Sequence, residues 1–197
     1  MTQEAAVRCF IAWELPDTWK TALIRVAQPL RPWADRLVRW VRPDGIHLTF
    51  AFLGQVPPAN LQLVRDALDR AGGTAPSLTA ALGPVGSFGD GDRLRVLWAS
   101  VEADPELLSA VHEAVWSQLV SLGFEAERRP FAPHLTLARV RDEASAAERV
   151  ELFRRWRALQ APRAPAASLT RLTLFQSDLG PGGARYTPLH QVTLNGG

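Results

Sequence analysis

The feature that most constrains this chain is a short alternating motif that occurs twice. Residues 47–50 read His-Leu-Thr-Phe, and residues 134–137 read His-Leu-Thr-Leu. Polar and apolar residues alternate in each copy, which is the pattern of a strand with one buried face. Residues two apart on a strand lie about 6.7 Å apart on the same face, so each histidine shares a face with its threonine. The apolar residues of each copy then point into a core on the opposite face.

The two copies also lie in matching surroundings. An Arg-Pro pair precedes each of them, Arg42-Pro43 in the first case and Arg129-Pro130 in the second. A predicted helix lies before each pair, and almost half of the chain separates the two motifs. Such repetition is typical of an ancient duplication. It predicts two lobes that share a cleft.

Hydrophobic periodicity predicts the order of the elements. Strands are expected over 7–13, 37–41, 46–53, 78–88, 94–101, 134–140, 169–175 and 186–194. Helices are expected over 17–30, 61–71, 104–122 and 143–159. The last helix is expected to bury Val150, Phe153 and either Trp156 or Arg157.

Prolines and glycines are expected to end three of these elements. Pro29 and Pro32 should end the first helix, because proline cannot donate a backbone hydrogen bond. Gly54 should close the strand of the first motif, and the pair Gly72-Gly73 should stop the second helix.

Composition favours one globular domain without covalent cross-links. The 197 residues are 47% hydrophobic and 21% charged, so a sizeable core is expected, and residues 1–197 are treated as a single bilobal domain. The net charge is +2 and Lys20 is the only lysine, which permits nucleic-acid binding without requiring it. No segment has the pattern of a signal peptide or the apolar length of a membrane span, so a cytoplasmic location is expected.

The paired motif has a definite chemistry if the two strands face each other across the cleft. His47, His134, Thr49 and Thr136 would then converge on one small volume. Imidazole has a pKa near 6.5, so one histidine can accept a proton while the other donates one. The threonine hydroxyls would stabilise charge on phosphate oxygens. The pair therefore fits in-line displacement at phosphorus, although spacing does not decide which histidine is the donor.

Other interpretations of the histidines stay open at this point. A single His-x-Thr on a strand is usually a structural pair, and both motifs could be structural. A zinc site would need three or four ligands, but Cys9 is the only cysteine and no third histidine is close in sequence. His112 and His190 are expected to be packing or surface residues.

Aromatic residues near the motifs have two possible roles. Trp40, Phe52, Phe131 and Tyr186 could stack on a nucleobase, or they could belong to the core. The sequence does not decide between these roles.

The motifs and their flanks resemble the two-histidine (2H) phosphoesterase superfamily. Within it, the chain is most similar to the RNA 2′,3′-cyclic phosphodiesterases, historically called 2′-5′ RNA ligases. The similarity is carried by residues 8–12, 41–43, 49–54, 95–98, 131–139 and 175–186. Phe50 stands where the family more often has leucine.

The resemblance implies an α+β fold with two pseudo-symmetric lobes, antiparallel sheets that line a central cleft, and helices outside. It implies that His47 is the proton donor and His134 the proton acceptor. It also implies that Thr49 and Thr136 bind phosphate, and Arg139 matches a basic position of the family. Strand alternation places Arg139 on the face opposite His134 unless a bulge intervenes.

The function implied by the resemblance is hydrolysis of 2′,3′-cyclic phosphate termini of RNA to 2′-phosphomonoesters. The resemblance also implies the reverse-type transfer, in which RNA ends are joined through a 2′-5′ bond. The expected substrates are RNA ends or small cyclic nucleotides. Neither a metal nor another cofactor is expected, and a monomer without an obligate protein partner is predicted. A nucleotide- or RNA-binding module with vestigial catalysis is the alternative.

Overall fold

The computed structural model describes residues 5–127, 129–180 and 183–196. Within them, nine strands form one curled antiparallel sheet. The strands are β1 Val7–Glu14, β2 Val38–Trp40, β3 His47–Val56, β4 Leu78–Phe88, β5 Val96–Ala103, β6 His134–Val140, β7 Ala167–Leu169, β8 Arg171–Gly180 and β9 Gly183–Thr193. Their order in space is β7-β4-β5-β6-β3-β1-β8-β9, and β2 pairs with β6.

The helices pack on the outer, convex side of the sheet. They are α1 Asp17–Ala27, α2 Arg31–Ala34, α3 Leu61–Thr74, α4 Pro105–Val120 and α5 Ala146–Arg157. The start predicted for α4 is confirmed, because the Asp104 carboxylate accepts hydrogen bonds from the first helical N–H groups. No helix in the described part of the chain is long and apolar enough to cross a membrane.

The two motif strands join the halves of the sheet. β3 and β6 pair through Leu48 and Leu135. β1 and then β8 and β9 extend the sheet beyond β3, while β5, β4 and β7 extend it beyond β6. The predicted α+β class with two lobes and antiparallel strands is confirmed, with both lobes sharing one continuous sheet.

Burial separates the two faces of the sheet. The main core lies between the convex face and the helices, and it includes Ile11, Leu48 and Leu135. A smaller cluster of Phe10, Ala12 and Phe175 lies on the concave face. Alternate residues of β1 therefore belong to different clusters, as strand geometry requires. The concave face is the one on which the motif histidines lie.

The first α-helix ends at Ala27, just before Pro29, but the prolines do not end the helical course of the chain. The chain stays helical beyond α1, through a 3₁₀ turn over Gln28–Leu30 and then α2. Pro29 and Pro32 each lie in the first turn of one of these segments, where a missing N–H loses no helical hydrogen bond.

Neither Gly54 nor the pair Gly72-Gly73 ends its element, so the expected effect of these glycines is wrong. β3 continues to Val56, and Gly54, with φ of +66°, lies at an irregularity in the pairing with β1. Helix α3 runs through Gly72-Gly73 to Thr74. A side chain at position 72 would overlap Val192 of β9, so this glycine permits close helix-to-sheet packing.

The last helix starts later than predicted, and of the residues expected to be buried, Trp156 is buried, Phe153 packs partly buried on the core and Val150 does not. A capping box at Ser145 with Glu148 starts α5 at Ala146, three residues later than expected. Leu152 and Trp156 are buried, whereas Val150 is 48% exposed and so faces solvent. The i,i+4 pair of Leu152 and Trp156 forms the buried stripe, since these two residues share one face of the helix.

Candidate active site

The motif side chains form a compact group on the concave face. Leu48 and Leu135 are buried partners in the ladder, so their neighbours project from the opposite face. In an antiparallel ladder the residue before one partner faces the residue after the other. The resulting cross-strand pairs are His47 with Thr136 and Thr49 with His134. The two histidines therefore occupy opposite corners of a four-residue cluster.

This cluster lines a cavity of about 360 Å³. The remaining lining comes from both lobes: Arg8, Phe10, Val41, Gly45, Phe52, Arg139, Ser177, Leu179, Ala184 and Tyr186. All five residues predicted from sequence as a site, His47, Thr49, His134, Thr136 and Arg139, thus line one cavity. Proton transfer to and from a single bound phosphate would require such a convergent arrangement of side chains.

A bulge places Arg139 on the cavity side. Consecutive residues of β5 pair with Ala138 and Thr136 of β6, so Leu137 between them has no partner. One extra residue reverses the alternation of faces along the strand. The burial pattern shows this reversal, because Leu137 and Ala138 are both buried while Arg139 is exposed. Arg139 therefore shares a face with His134, which unbroken alternation would not allow.

A backbone hydrogen bond selects the tautomer of the neutral His134 ring. Its Nδ1 lies 2.7 Å from the carbonyl oxygen of Ala132. A carbonyl can only accept, so Nδ1 carries a hydrogen, and in the neutral ring Nε2 is then free to accept a proton. The ring of Phe88 contacts the His134 imidazole edge to face, with centroids 4.7 Å apart. His134 is thus held in a form suited to a general base.

His47 has a more apolar environment than His134. It stacks on Phe10 with centroids 4.6 Å apart, and the Tyr186 ring meets it edge to face at 5.1 Å. Burial lowers the pKa of His47 from 6.5 to about 4, the Gly45 backbone opposes that shift, and the charge of His134 adds to it. Without a ligand, His47 is neutral at pH 7.

Two guanidinium groups supply positive charge to the cavity. Burial raises the pKa of Tyr186, while Arg139 and Arg8 oppose that rise. Both arginines therefore act on the region around the Tyr186 hydroxyl. Arg8 was not predicted as a site residue. The signal was available, because alternation along β1 separates Arg8 and Phe10 from the core residues Cys9 and Ile11.

The other two histidines lie outside the cavity. His112 stacks on Phe131 with centroids 4.4 Å apart, and His190 Nε2 lies 2.7 Å from a carboxylate oxygen of Asp69. Both make structural contacts, as predicted. In the described residues no group of three or more His, Cys, Asp or Glu side chains is placed to hold a metal ion.

The four aromatic candidates for base stacking separate into two pairs. Phe52 and Tyr186 line the cavity, and Phe52 is 49% exposed. The Trp40 indole donates to Asp35, and Phe131 stacks on Phe50, so neither of these two contributes to the cavity lining. A base at the cavity would therefore meet Phe52 or Tyr186.

A separate cavity of about 520 Å³ lies at the end of β1. Glu14, Lys20, Arg171 and Gln191 contribute to its lining, which contains no histidine or cysteine. Glu14 is engaged there, since its carboxylate accepts hydrogen bonds from Thr173 and Gln191. The cavity at the motifs, with two imidazoles, is the one equipped for proton transfer.

Comparison with known proteins gives a consistent result. Residues 17–181 match the family model of the 2′-5′ RNA ligase superfamily. An RNA 2′,3′-cyclic phosphodiesterase of Escherichia coli K12 is 30% identical over 188 residues, which are 95% of this chain and 96% of that protein. One of Geobacillus stearothermophilus is 36% identical over 100 residues, 51% of this chain and 32% of that longer protein.

Solved structures give the same fold. The crystal structure of E. coli LigT in apo form has 28% identity and a TM-score of 0.74, covering 97% of this chain and 99% of that one. Structures of LigT complexed with 3′-AMP and with phosphate match as well.

Proposed function

Because this chain belongs to the 2′-5′ RNA ligase superfamily, we propose that it is a phosphodiesterase that opens 2′,3′-cyclic phosphate ends of RNA to 2′-phosphates. The resemblance to that family in the sequence is thereby confirmed. The observation that carries the proposed reaction is the placement of both His-x-Thr motifs in one cavity. The two lobes act as a single domain in this proposal, since each supplies one histidine.

The proposed reaction is an in-line displacement by water. His134 Nε2 accepts a proton from the water as the water oxygen bonds to phosphorus. The bond between phosphorus and the 3′ oxygen breaks, and that oxygen takes a proton from His47. The product is a 2′-phosphomonoester with a free 3′ hydroxyl. Opposite corners of the cluster suit the two proton transfers, because the incoming and leaving oxygens lie on opposite sides of phosphorus.

His47 can donate a proton only if bound substrate raises the pKa of its imidazole, so that the ring is protonated. Its pKa of about 4 makes the His47 imidazole neutral at pH 7. A phosphate anion about 4 Å away contributes about 4 kcal/mol at an effective dielectric constant near 20, which is worth about 3 pKa units. The pKa of His47 in the complex would then lie near 7. The substrate's own charge thus creates the proton donor.

The other lining residues support binding of a nucleotide phosphate. Thr49 and Thr136 can donate hydrogen bonds to the non-bridging oxygens, and Arg139 and Arg8 offset their charge. Phe52 offers a ring for the base next to this phosphate site. Binding of 3′-AMP and of phosphate by LigT supports the same assignment by similarity. No step in this scheme needs a metal or a nucleotide cofactor.

The deciding experiment treats the protein with a chelator and supplies 2′,3′-cyclic AMP or an oligonucleotide with a 2′,3′-cyclic end. We expect both to be opened, with the 2′-phosphate identified by mass and phosphorus NMR. Binding of 3′-AMP without any product would favour the alternative, a binding module with vestigial catalysis. Activity that appears only after metal is added would contradict the mechanism.

A further inference from the structure

A further cationic side chain lies beside Arg139 on the cavity side of the sheet. β2 pairs with β6, and Arg39 is directly opposite Arg139. Directly opposite residues of an antiparallel pair project from the same face, with Cβ atoms about 4.5–5.5 Å apart. Val41 continues this ladder through its N–H to Leu137 and lines the cavity, which agrees with that orientation. Arg39 therefore extends the positive charge of the cavity outward along β2.

This arrangement is electrostatically unfavourable in the absence of an anion. Like charges directly opposite on a sheet destabilise it. Both arginines are exposed, and in the described residues neither is within 4 Å of a carboxylate. By contrast Arg36, on the same segment, pairs with Glu148. An anion between Arg39 and Arg139 would remove the repulsion and satisfy both guanidinium groups.

The position of Arg39 indicates which anion this is. Arg8 and Arg139 line the cavity, so they would contact the terminal nucleotide. Arg39 lies one strand farther out, and it is not part of the lining. A ligand with one phosphate at the histidines and a second one between Arg139 and Arg39 would therefore extend beyond one nucleotide. Arginine suits phosphate oxygens because its planar fork can donate two parallel hydrogen bonds.

We propose that Arg39 binds the phosphodiester on the 5′ side of the terminal nucleotide, and that it thereby selects RNA chains over cyclic mononucleotides. This inference rests on the proposed function, because it takes the terminal phosphate to lie between the histidines. A cyclic mononucleotide has no such phosphodiester. Arg39 is thus a specificity-determining residue, whereas the cavity itself accepts either substrate.

The test compares two substrates in three proteins. The substrates are 2′,3′-cyclic AMP and a five-nucleotide RNA with a 2′,3′-cyclic end. The proteins are the natural chain, Arg39→Ala, and the control Arg25→Ala, which removes an exposed arginine from α1. That helix packs on the opposite face of the sheet, where Trp19 contacts Trp13. The quantity compared is the ratio of kcat/KM for the RNA to kcat/KM for the mononucleotide.

We expect Arg39→Ala to lower this ratio about tenfold at low salt, chiefly by raising KM for the RNA. The slope of log kcat/KM against log salt for the RNA should become shallower by about 0.7, the value for one contact to a single-stranded phosphate. Arg25→Ala should leave the ratio within about twofold. An unchanged ratio in Arg39→Ala, or equal losses on both substrates, would overturn the inference while leaving the proposed function intact.

Failure of the proposed function has a different signature. The natural protein would then open neither substrate. Titration of 3′-AMP and of a 3′-phosphorylated five-nucleotide RNA would decide the role of Arg39 in that case. A selective loss of RNA affinity in Arg39→Ala supports it, and equal affinities of the variant and the natural protein for the RNA overturn it.

Discussion

Phe52 and Arg139 occupy the same position in the two halves of the sheet, each the fifth residue after the histidine of its motif. Both follow a bulge, at Phe50 in β3 and at Leu137 in β6, where one residue is left unpaired against the neighbouring strand. Both consequently reach the cavity side and are exposed. One scaffold therefore presents an aromatic ring in one half of the cavity and a guanidinium in the other.

This relationship predicts that Phe52 binds the base of a nucleotide and that Arg139 binds its phosphate. Phe52→Ala should weaken binding of 2′-AMP about 5- to 100-fold, the range expected for loss of base stacking, and should change the affinity for inorganic phosphate little. Arg139→Ala should weaken the binding of both ligands, because both carry the phosphate charge. Isothermal titration calorimetry measures the four affinities. Equal losses of phosphate affinity in the two variants would contradict the assignment.

The two histidines are expected to be separately essential. His47→Gln and His134→Gln should each lower kcat on 2′,3′-cyclic AMP by about 10²–10⁴-fold, since each removes one proton transfer. Thermal melting followed by circular dichroism checks that both variants fold. The matched control is His190→Gln, which removes a histidine outside the cavity and should keep kcat near that of the natural protein. A near-natural rate in either motif variant would refute the mechanism.

The motif threonines are expected to act through the phosphate oxygens. Thr49→Val and Thr136→Val keep the side-chain shape but remove the hydroxyl, so each should lower kcat about 10- to 100-fold, the loss expected for one hydrogen bond to a charged group. The surface variant Thr79→Val on β4 serves as the control for loss of a strand hydroxyl. Steady-state kinetics separates kcat from KM. A rise in KM alone would mean that the hydroxyls bind substrate and transition state equally.

Burial of His47 predicts a pH dependence of stability. Its pKa is about 4 in the folded chain, against 6.5 for an unperturbed histidine. Between these values the unfolded chain binds a proton that the folded chain does not, so stability falls as pH drops from 6.5 towards 4. The full effect is at most about 3.4 kcal/mol, and well above pH 6.5 this group contributes no pH dependence. Urea unfolding at pH 7 and pH 4.5 measures it.

The control for this prediction is His47→Gln, in which the loss of stability between pH 7 and pH 4.5 should be smaller. His112 contributes in the same direction, because burial also lowers its pKa, so His112→Gln should reduce the dependence independently. Proton NMR titration should show the pKa of His47 rising when 2′-AMP binds. A pKa that stays near 4 in the complex would argue against donation by His47.

Local patterns predicted the parts of the structure that depend on neighbours in sequence. Alternation placed each motif histidine on the face of its threonine, and Asp104 before Pro105 located the start of α4. The face of Arg139 required the register of β6 against β5, which no local pattern contains. The low pKa of His47 comes from burial, and the rings beside it, Phe10 and Tyr186, are distant in sequence because they come from β1 and β9. The sequence therefore predicted that the two histidines lie together, left the face of Arg139 open and did not single out Arg8.

The glycines of α3 give the last prediction, because their neighbours differ although they are adjacent. A Cβ at Gly72 would overlap the Val192 side chain and approach the Thr193 carbonyl oxygen at 2.9 Å, whereas a Cβ at Gly73 meets nothing within 4 Å. Gly72→Ala should therefore destabilise the protein by about 1–3 kcal/mol, the usual effect of overpacking. Gly73→Ala should stabilise it by about 0.5–1 kcal/mol, because alanine favours the helix. Opposite shifts of the urea midpoint would establish that close packing, and not helix termination, is the reason for glycine at position 72.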